Sequence, residues 1–418
     1  MGDRAVTRAR SLAATVALTI AIALPRFAGA EPHPGEVRAG VDVFAEPASG
    51  LSLTVVTPSV NGKVDLRRWL TAYVDWTADV VSGATPRTYG AVDAISSATA
   101  FSEVRNQVGA AVEARTGPFS LRAGYHFSIE NDYRSHQLAL DGRIDLLQHD
   151  TIIDVRWAHD FDSVCDLDNR GLSVLQRQPL SNSVGCFAGH AGLTEEPLGV
   201  DAVEVSLTQT LTPRLIGVLT GYSEHLAGFQ SNPYRRVALL GDAILAQESD
   251  PGVRDRGAVG VKLRYAATAR GALGADVRLY RDTWDIESLT AQLSWDQLLL
   301  GERLRLQARA RYYQQSQAFF FRDAGSAGSY EKTGPVGAYF TGDRELSPFS
   351  DLLIGGALYY RARPLPGRRL GRMFHALDVG AHLTLMKFFS FAITPPDAPR
   401  MSGVIDALTA GLSAVGEF

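Results

Sequence analysis

The sequence has little cysteine, no excess of charge and, beyond its first 30 residues, no long apolar run. Two cysteines among 418 residues exclude a disulfide-dense scaffold, and the absence of C-x-x-C-H excludes covalent c-type haem. A formal net charge of −4 gives no reason to expect nucleic acid as a partner. Because no later run could cross a hydrocarbon core of roughly 30 Å, no membrane-spanning helix is expected.

The first 30 residues have the organisation of an export signal. A basic region comes first, an apolar stretch covers residues 11–24, and small residues follow at 28–30. This order predicts a secretory signal peptide over residues 1–30, cleaved after Ala30. A membrane anchor is the alternative, and it is disfavoured because the apolar run is too short to span roughly 30 Å. The basic residues are Arg4, Arg8 and Arg10.

Apolar and polar residues alternate with period two from residue 69 almost to the end, which predicts strands and not helices. The alternation is clearest over residues 303–313 and recurs over residues 137–146. In the first segment the apolar set is Leu304, Leu306, Ala308, Ala310 and Tyr312, and the intervening set is Arg303, Arg305, Gln307, Arg309 and Arg311.

Segment length separates a membrane barrel from a soluble β-sandwich. Sandwich strands run about 5–6 residues, whereas the segments here run about 10–14, the length needed to cross a bilayer at a tilt. Aromatic residues gather near the predicted strand ends, as girdles at the two water interfaces do. We therefore predict an all-β fold, a transmembrane antiparallel β-barrel of about 14 strands, with 12 or 16 as alternatives and a soluble barrel or β-solenoid as the competing class.

Connection lengths alternate, and this predicts the topology. Short connections lie near residues 116–118, 148–150, 212–213, 267–271, 299–302 and 363–372, and longer ones cover 162–200, 224–255 and 317–348. Short turns on the periplasmic side and long loops outside are the rule for such barrels, so both chain ends are expected in the periplasm. The predicted organisation is a signal peptide (1–30), an N-terminal lead (31–66) and the barrel (67–418).

The first predicted hairpin, residues 79–99, carries a repeated motif between strands that end near Asp79 and start near Phe101. The pattern D-x-x-S-x-A-T occurs at residues 79–85 and again at 93–99, 14 residues apart. One structural explanation is a tight turn, because Asp and Ser readily form local side-chain to backbone hydrogen bonds. Two copies in register are harder to ascribe to turn chemistry, and they favour a functional motif.

The motif resembles the target site of bacterial FAD:protein FMN transferases, which attach FMN by a phosphoester to the Thr of D-x-x-(S/T)-x-A-T segments in exported proteins. The resemblance implies covalent FMN on Thr85 and Thr99. Gly83 matches the glycine that is common at the fifth position, whereas Ser97 departs from it, so Thr85 is the better match. The implied recognition positions are Asp79, Ser82, Gly83 and Ala84 in the first copy and Asp93, Ser96 and Ala98 in the second. The chain also resembles an outer-membrane family of unknown function whose early hairpin reads DVVSGAT.

The chemistry of the hairpin is consistent with this resemblance. A Thr hydroxyl is a weak nucleophile, so attachment needs the transferase with its metal and an accessible loop. Alternation along the first predicted strand sets Tyr73, Asp75, Thr77 and Asp79 on the lumen face, so the loop could fold into the barrel mouth. The loop lengths place the hairpin outside, whereas the transferase is expected in the periplasm. Modification before insertion, or the opposite topology, would reconcile the two.

The two cysteines and the arginine row have simpler interpretations. Cys165 and Cys186 predict a disulfide stapling an external loop, and a metal site with His190 is disfavoured because the ligand spacing is wrong. The arginines at 303, 305, 309 and 311 either attract anions, such as flavin phosphates, or form a lumen wall paired with Asp276, Asp296 and Asp378, which we favour. No catalytic or metal-ligating set is predicted.

Two functions of different classes follow. The first is an outer-membrane flavoprotein that relays electrons through covalent FMN between periplasmic electron carriers and the cell surface. The second is a porin-like channel or structural barrel with no redox role, since the fold alone does not decide function. Partners implied by the first are the FAD:protein FMN transferase, periplasmic carriers and outer-membrane lipid. A hydrolase ranks below both, because no nucleophile–base set is recognisable.

Overall fold

The computed structural model of the protein describes residues 34–48, 51–83, 101–180, 186–188, 192–239, 244–321, 339–362, 374–389 and 406–418. Strands dominate these ranges, as the alternation predicts. The helices found there are 3₁₀ turns of three residues, and none has the length and hydrophobicity of a membrane-spanning helix. The predicted signal peptide lies outside the described residues and stays a prediction.

Eighteen strands lie in the described part of the chain. They are β1 (Gly35–Ala48), β2 (Leu51–Arg67), β3 (Leu70–Gly83), β4 (Phe101–Thr116), β5 (Phe119–Ile129), β6 (Tyr133–Leu146), β7 (Thr151–Leu167), β8 (Leu193–Thr212), β9 (Leu215–Gly228), β10 (Arg236–Leu239), β11 (Ile244–Gln247), β12 (Val253–Thr268), β13 (Gly271–Asp282), β14 (Glu287–Leu299), β15 (Leu304–Gln315), β16 (Phe349–Ala362), β17 (Ala376–Phe389) and β18 (Ala407–Glu417).

Sixteen of the described strands form a closed antiparallel barrel, and β10 pairs with β11 in a separate two-stranded ribbon. The barrel closes where β1 pairs with β18, and the amides of Gly35 and Phe418 each donate to the carbonyl of the other residue at 3.0 Å. Closure leaves no unpaired strand edge, which is the condition for a sheet to span a bilayer.

The predicted number of 14 strands was wrong, and 16, the larger alternative, is the observed number. The two additional strands, β1 and β2, cover residues 35–48 and 51–67, and almost all of them fall in residues 31–66, for which the sequence predicts an N-terminal lead. Their alternation is hard to read because prolines interrupt it at Pro47 and Pro58 and because Val55 and Val56 are adjacent. The pair belongs to the barrel because β1 supplies the edge that β18 needs for closure.

The outer surface of the barrel is apolar. The side chains of Val74, Leu293 and Ile354, for example, are 57–60% exposed on it. Aromatic residues Trp157, Phe161, Tyr312, Tyr360 and Phe389 also lie on this face and are exposed. An apolar exposed belt with aromatic residues is the surface that a bilayer covers, so the alternation separates a lipid face from a lumen face as predicted.

The connections differ between the two ends of the barrel, as the sequence predicts. The described connections at residues 68–69, 117–118, 147–150, 213–214, 269–270 and 300–303 lie at one end, the short-turn end. Both Gly35 and Phe418 lie at this end too. The strands β7, β9 and β15 end at the opposite, long-loop end, where β3 also ends at Gly83 and β4 begins at Phe101.

Candidate functional site

The lumen wall holds ion pairs and hydrogen bonds between side chains of different strands. Asp296 on β14 accepts from Arg305 on β15 at 2.6 Å and from Arg264 on β12 at 2.6 Å. Arg311 pairs with Asp351 at 3.1 Å, and the guanidinium of Arg309 donates to Thr384 Oγ1 at 3.0 Å. The arginine row therefore forms a polar lumen wall, as favoured from the sequence.

The partners within this wall are only partly those predicted. Asp296 pairs with the row, whereas Asp276 pairs with Lys262 at 3.3 Å and Asp378 with Arg361 at 3.8 Å. The reason is register: Asp276 lies directly across from Lys262 and Asp378 directly across from Arg361. Strand register is set by pairing across the sheet, which the sequence alone does not reveal.

Two glycines let side chains meet over a strand that separates them. On β4, Gly109 leaves room for His126 Nε2 to approach Asp75 Oδ1 at 3.4 Å. On β18, Gly411 does the same for His382 Nε2 and Asp42 Oδ1, at 3.1 Å. A Cβ at either glycine would collide with both partners. No sequence pattern marks these histidines, because their partners come from strands that are not adjacent.

The hairpin with the repeated motif begins on the lumen wall. Asp79 lies on β3, where it accepts a hydrogen bond from Thr57 Oγ1 at 2.6 Å and faces Arg105 on β4 in register. The backbone of Ser82 and Gly83 pairs with Ser102 and Phe101 at the end of the same strand pair. The other motif residues, Ala84, Thr85, Asp93, Ser96, Ala98 and Thr99, lie outside the described residues.

The long connections fold together at the long-loop end. We call the described residues 168–180, 186–188, 229–239, 244–252, 316–321 and 339–348 the loop cap. Backbone hydrogen bonds join its parts: Gln247 N donates to Arg177 O at 3.0 Å, and Ser249 N to Phe340 O at 3.1 Å. Its apolar core includes Phe320 and Phe321, which are at most 2% exposed. The loop cap is thus a packed structure and not a set of separate loops.

The predicted disulfide is confirmed. Cys165, near the end of β7, is bonded to Cys186 in the following connection, with a Cα–Cα distance of 5.3 Å. Cys165 is fully buried and packs with Leu180 and Tyr234, two other residues of the loop cap. The bond therefore anchors the cap to the barrel wall. Next to it, Gln247 donates to the buried carboxylate of Asp166 at 2.8 Å.

A buried ion cluster ties two parts of the loop cap together. Arg235 Nη1 donates to Glu248 Oε2 at 2.6 Å and to Asp343 Oδ2 at 2.8 Å. Thr341 Oγ1 and the amide of Asn232 also donate to Glu248, which is 1% exposed. Burial opposes the positive charge, but the carboxylates of Asp343 and Glu248 outweigh it and raise the pKa of Arg235. Burial raises the pKa of Glu248 despite the arginine.

A cavity of about 400 Å³, the cap cavity, lies between the loop cap and the lumen. Its walls include Arg105 on β4 and Glu345 in the connection that follows β15. The strands β4 and β15 lie nearly opposite each other in the ring of 16 strands. The cap therefore extends across the mouth of the barrel. Of the lining side chains, nine are carboxylates and four are arginines. Within the described part of the chain, no group of three or more His, Cys, Asp or Glu side chains is arranged to hold a metal ion.

The long connections are evident in the sequence, but this cavity is not. Its lining residues come from strands β4, β6–β9 and β12 and from four connections between barrel strands, so no short motif marks them. The signal that was available is the concentration of acidic residues near the long-loop ends of strands, such as Asp160 and Asp162 on β7.

Comparison with known proteins gives a family but little detail. A family described as "Protein of unknown function (DUF3570)" matches residues 8–358. No curated protein matches the chain. Among solved structures, OccK2 (OpdF) of Pseudomonas aeruginosa is 9% identical with a TM-score of 0.41, covering 92% of this chain and 98% of that chain. OprD, an outer membrane protein of Pseudomonas aeruginosa, is 7% identical with a TM-score of 0.44, covering 92% and 94%. A bacterial polysaccharide outer membrane secretin is 10% identical with a TM-score of 0.47, covering 92% and 98%.

The architecture itself decides the class of protein. A closed barrel of 16 described strands with an apolar, lipid-facing exterior and a charged interior is an outer-membrane β-barrel.

Proposed function

The chain belongs to the DUF3570 family of proteins of unknown function, and from its own geometry we propose that it is an outer-membrane channel for small polar solutes. The observation that carries the proposal is a closed ring of 16 described strands whose inner face is polar and charged. Barrels of 16 to 18 strands are wide enough to leave an aqueous channel when side chains alone line them. The loop cap narrows the mouth, so the conductance is expected to be small.

The lumen wall provides a residue with which to test conduction. Among the described residues, Arg309 on β15 has no carboxylate within ion-pair distance, and its guanidinium donates to Thr384. An arginine whose charge no carboxylate neutralises raises the local concentration of anions along the route that ions take. Its charge should therefore influence ion selectivity if ions pass through the lumen.

The purified protein is expected to give discrete conductance steps in a planar lipid bilayer. Arg309→Gln should shift the reversal potential in a KCl gradient toward cation preference, because it removes a lumen charge. The matched control is Arg170→Gln, an exposed arginine of the loop cap that pairs with Asp168. A protein that inserts but never conducts, or two variants with the same reversal potential, would contradict the proposal.

A second candidate function is supported by the doubled motif on the connection between β3 and β4. We propose that Thr85 and Thr99 carry covalent FMN, attached by an FAD:protein FMN transferase. At the described base of this hairpin, Arg105 on β4 lies across from Asp79 in register, and a guanidinium is a group that binds phosphate. A flavin held there would accept and donate electrons, and periplasmic carriers would be its partners.

Mass spectrometry of the intact protein, co-expressed with a transferase, tests the flavin proposal. We expect a gain of one or two FMN units less water and a fluorescent band on a denaturing gel. Thr85→Val and Thr99→Val should each remove one flavin while the folded barrel still migrates differently before and after heating. Covalent flavin retained in the double variant would exclude these threonines, and an unmodified mass beside an active transferase would leave the channel as the function.

A further inference from the structure

The cap cavity is short of positive charge. Three of its four arginines are already paired: Arg235 with Glu248 and Asp343, Arg254 with Asp282, and Arg256 with Glu224 at 2.7 Å. The fourth, Arg105, donates to Ser128 at 3.0 Å and to Gln107 at 3.3 Å. Nine carboxylates line the same space. Acidic side chains therefore outnumber basic ones in the cavity, which favours a cationic occupant.

Three of these carboxylates present oxygens without a partner. Asp162 is 6% exposed; its Oδ2 accepts from the hydroxyl of Tyr133, but its Oδ1 has no hydrogen-bond partner among the described residues. The Oδ1 atoms of Asp160 and Asp250 are likewise buried without a partner in the described structure. Buried carboxylate oxygens are almost always satisfied, so each of these is a position where a donor is missing.

The cavity wall beside Asp160 and Asp162 is apolar, and Val200 and Leu198 on β8 lie directly across from these two residues in register. Val164, Leu198 and Leu226 form a buried cluster there, and Val200 and Phe229 pack against it. An inorganic ion would leave this wall without a function, whereas the carbon chain of an organic cation would contact it. The volume of about 400 Å³ is within the range of small-molecule sites.

We propose that the cap cavity binds a small organic cation with an aliphatic body and an ammonium or guanidinium head. Asp160 and Asp162, which project from the same face of β7, hold the head, and Asp250 binds from the loop cap. A guanidinium offers five donors and an ammonium three, enough to satisfy the unpartnered carboxylate oxygens. The inference goes beyond the channel proposal, because binding does not require conduction.

The electrostatics of Asp250 support a cationic ligand. Burial, and then the neighbouring carboxylate of Glu248, raise the pKa of Asp250 well above its ordinary value. A cation at this position would offset both effects and favour the charged carboxylate.

Isothermal titration of the full-length protein in detergent with agmatine tests the proposal, since agmatine joins a guanidinium and an ammonium by a four-carbon chain. We expect saturable binding that Asp162→Asn weakens by about tenfold or more, because one charge-assisted contact is lost while the shape is kept. Asp168→Asn, on an exposed aspartate of the loop cap that pairs with Arg170, is the matched control and should bind as the wild type does. 1-Butanol, which lacks the cation, should not bind.

Equal agmatine affinity in wild type and Asp162→Asn would overturn the proposal, as would competition by Mg²⁺ at the same concentration as agmatine. Folding of each variant is checked by its shift in gel mobility on heating. If Asp162→Asn does not fold, Asp250→Asn takes its place, because that carboxylate belongs to the loop cap and not to a barrel strand. Agmatine binding is measured in detergent, without a bilayer. A failure to bind agmatine can therefore be distinguished from a failure of the barrel to conduct ions.

Discussion

Replacement of Arg235 by methionine is expected to open the loop cap and to increase the single-channel conductance. Methionine keeps much of the side-chain length but removes the charge that Glu248 and Asp343 share. Two carboxylates would then be left in a buried site, and removing one partner of such a cluster costs about 3–5 kcal/mol. Because the cluster joins Arg235 and Glu248 to Asp343 within the loop cap, this free energy is lost from the packing of the cap and not from the barrel strands.

Conductance in planar bilayers and amide hydrogen exchange of the cap together measure this effect. Exchange should accelerate in the described cap residues on both sides of the cluster, while the strands β12–β16 keep their protection. Arg170→Met is the matched control, since Arg170 is an exposed cap arginine whose pair with Asp168 contributes little. A triple replacement, Arg235→Met with Glu248→Gln and Asp343→Asn, should recover much of the loss, because no unpaired buried charge remains. Unchanged exchange in Arg235→Met would show that the cluster does not hold the cap closed.

Asp282→Ala is expected to lower the free energy of unfolding by about 3–5 kcal/mol, because this carboxylate is a buried acceptor with several donors. Asp282 lies at the long-loop end of β13 and its side chain is fully buried. It accepts from Arg254 Nε at 2.9 Å, from the Tyr280 hydroxyl at 2.6 Å, and from the amides of Trp284 and Ile286 at 2.9 and 3.0 Å. Alanine would leave all of these donors unsatisfied, and Arg254 would remain buried against the ring of Trp284.

Urea unfolding in lipid vesicles, followed by tryptophan fluorescence, measures this change. Asp282→Asn should cost less than Asp282→Ala, because the amide keeps one acceptor and the shape but loses the charge. Asp255→Ala is the matched control: Asp255 pairs with His225 at 2.6 Å on an exposed surface, so its removal should cost at most about 1 kcal/mol. Similar losses in Asp282→Ala and Asp255→Ala would mean that burial of the Asp282 cluster contributes nothing.

The strand number shows where prediction from sequence ends. Over residues 303–313 the alternation assigns each residue to the lipid face or to the lumen face. The structure places Leu304 and Leu306 on the lipid face and Arg305 and Arg309 on the lumen face. In β1 and β2 the same rule operates, with Arg38 and Asp42 on the lumen side, but prolines and adjacent valines obscure it. Their role became evident only with β18 beside β1, a partner from the other end of the chain.

The period-two alternation, the lipid and lumen faces that follow from it, the two kinds of connection and the pair of cysteines are all evident in the amino-acid sequence. These are local properties, because the side of a strand on which a residue lies depends only on its position along that strand. The tertiary structure alone decided the register that pairs Asp276 with Lys262, the histidine contacts over Gly109 and Gly411, and the meeting of Arg235 with Asp343, which is 108 residues away. Those contacts depend on which strands close the ring and how the long connections pack across its mouth, and no local pattern contains that information.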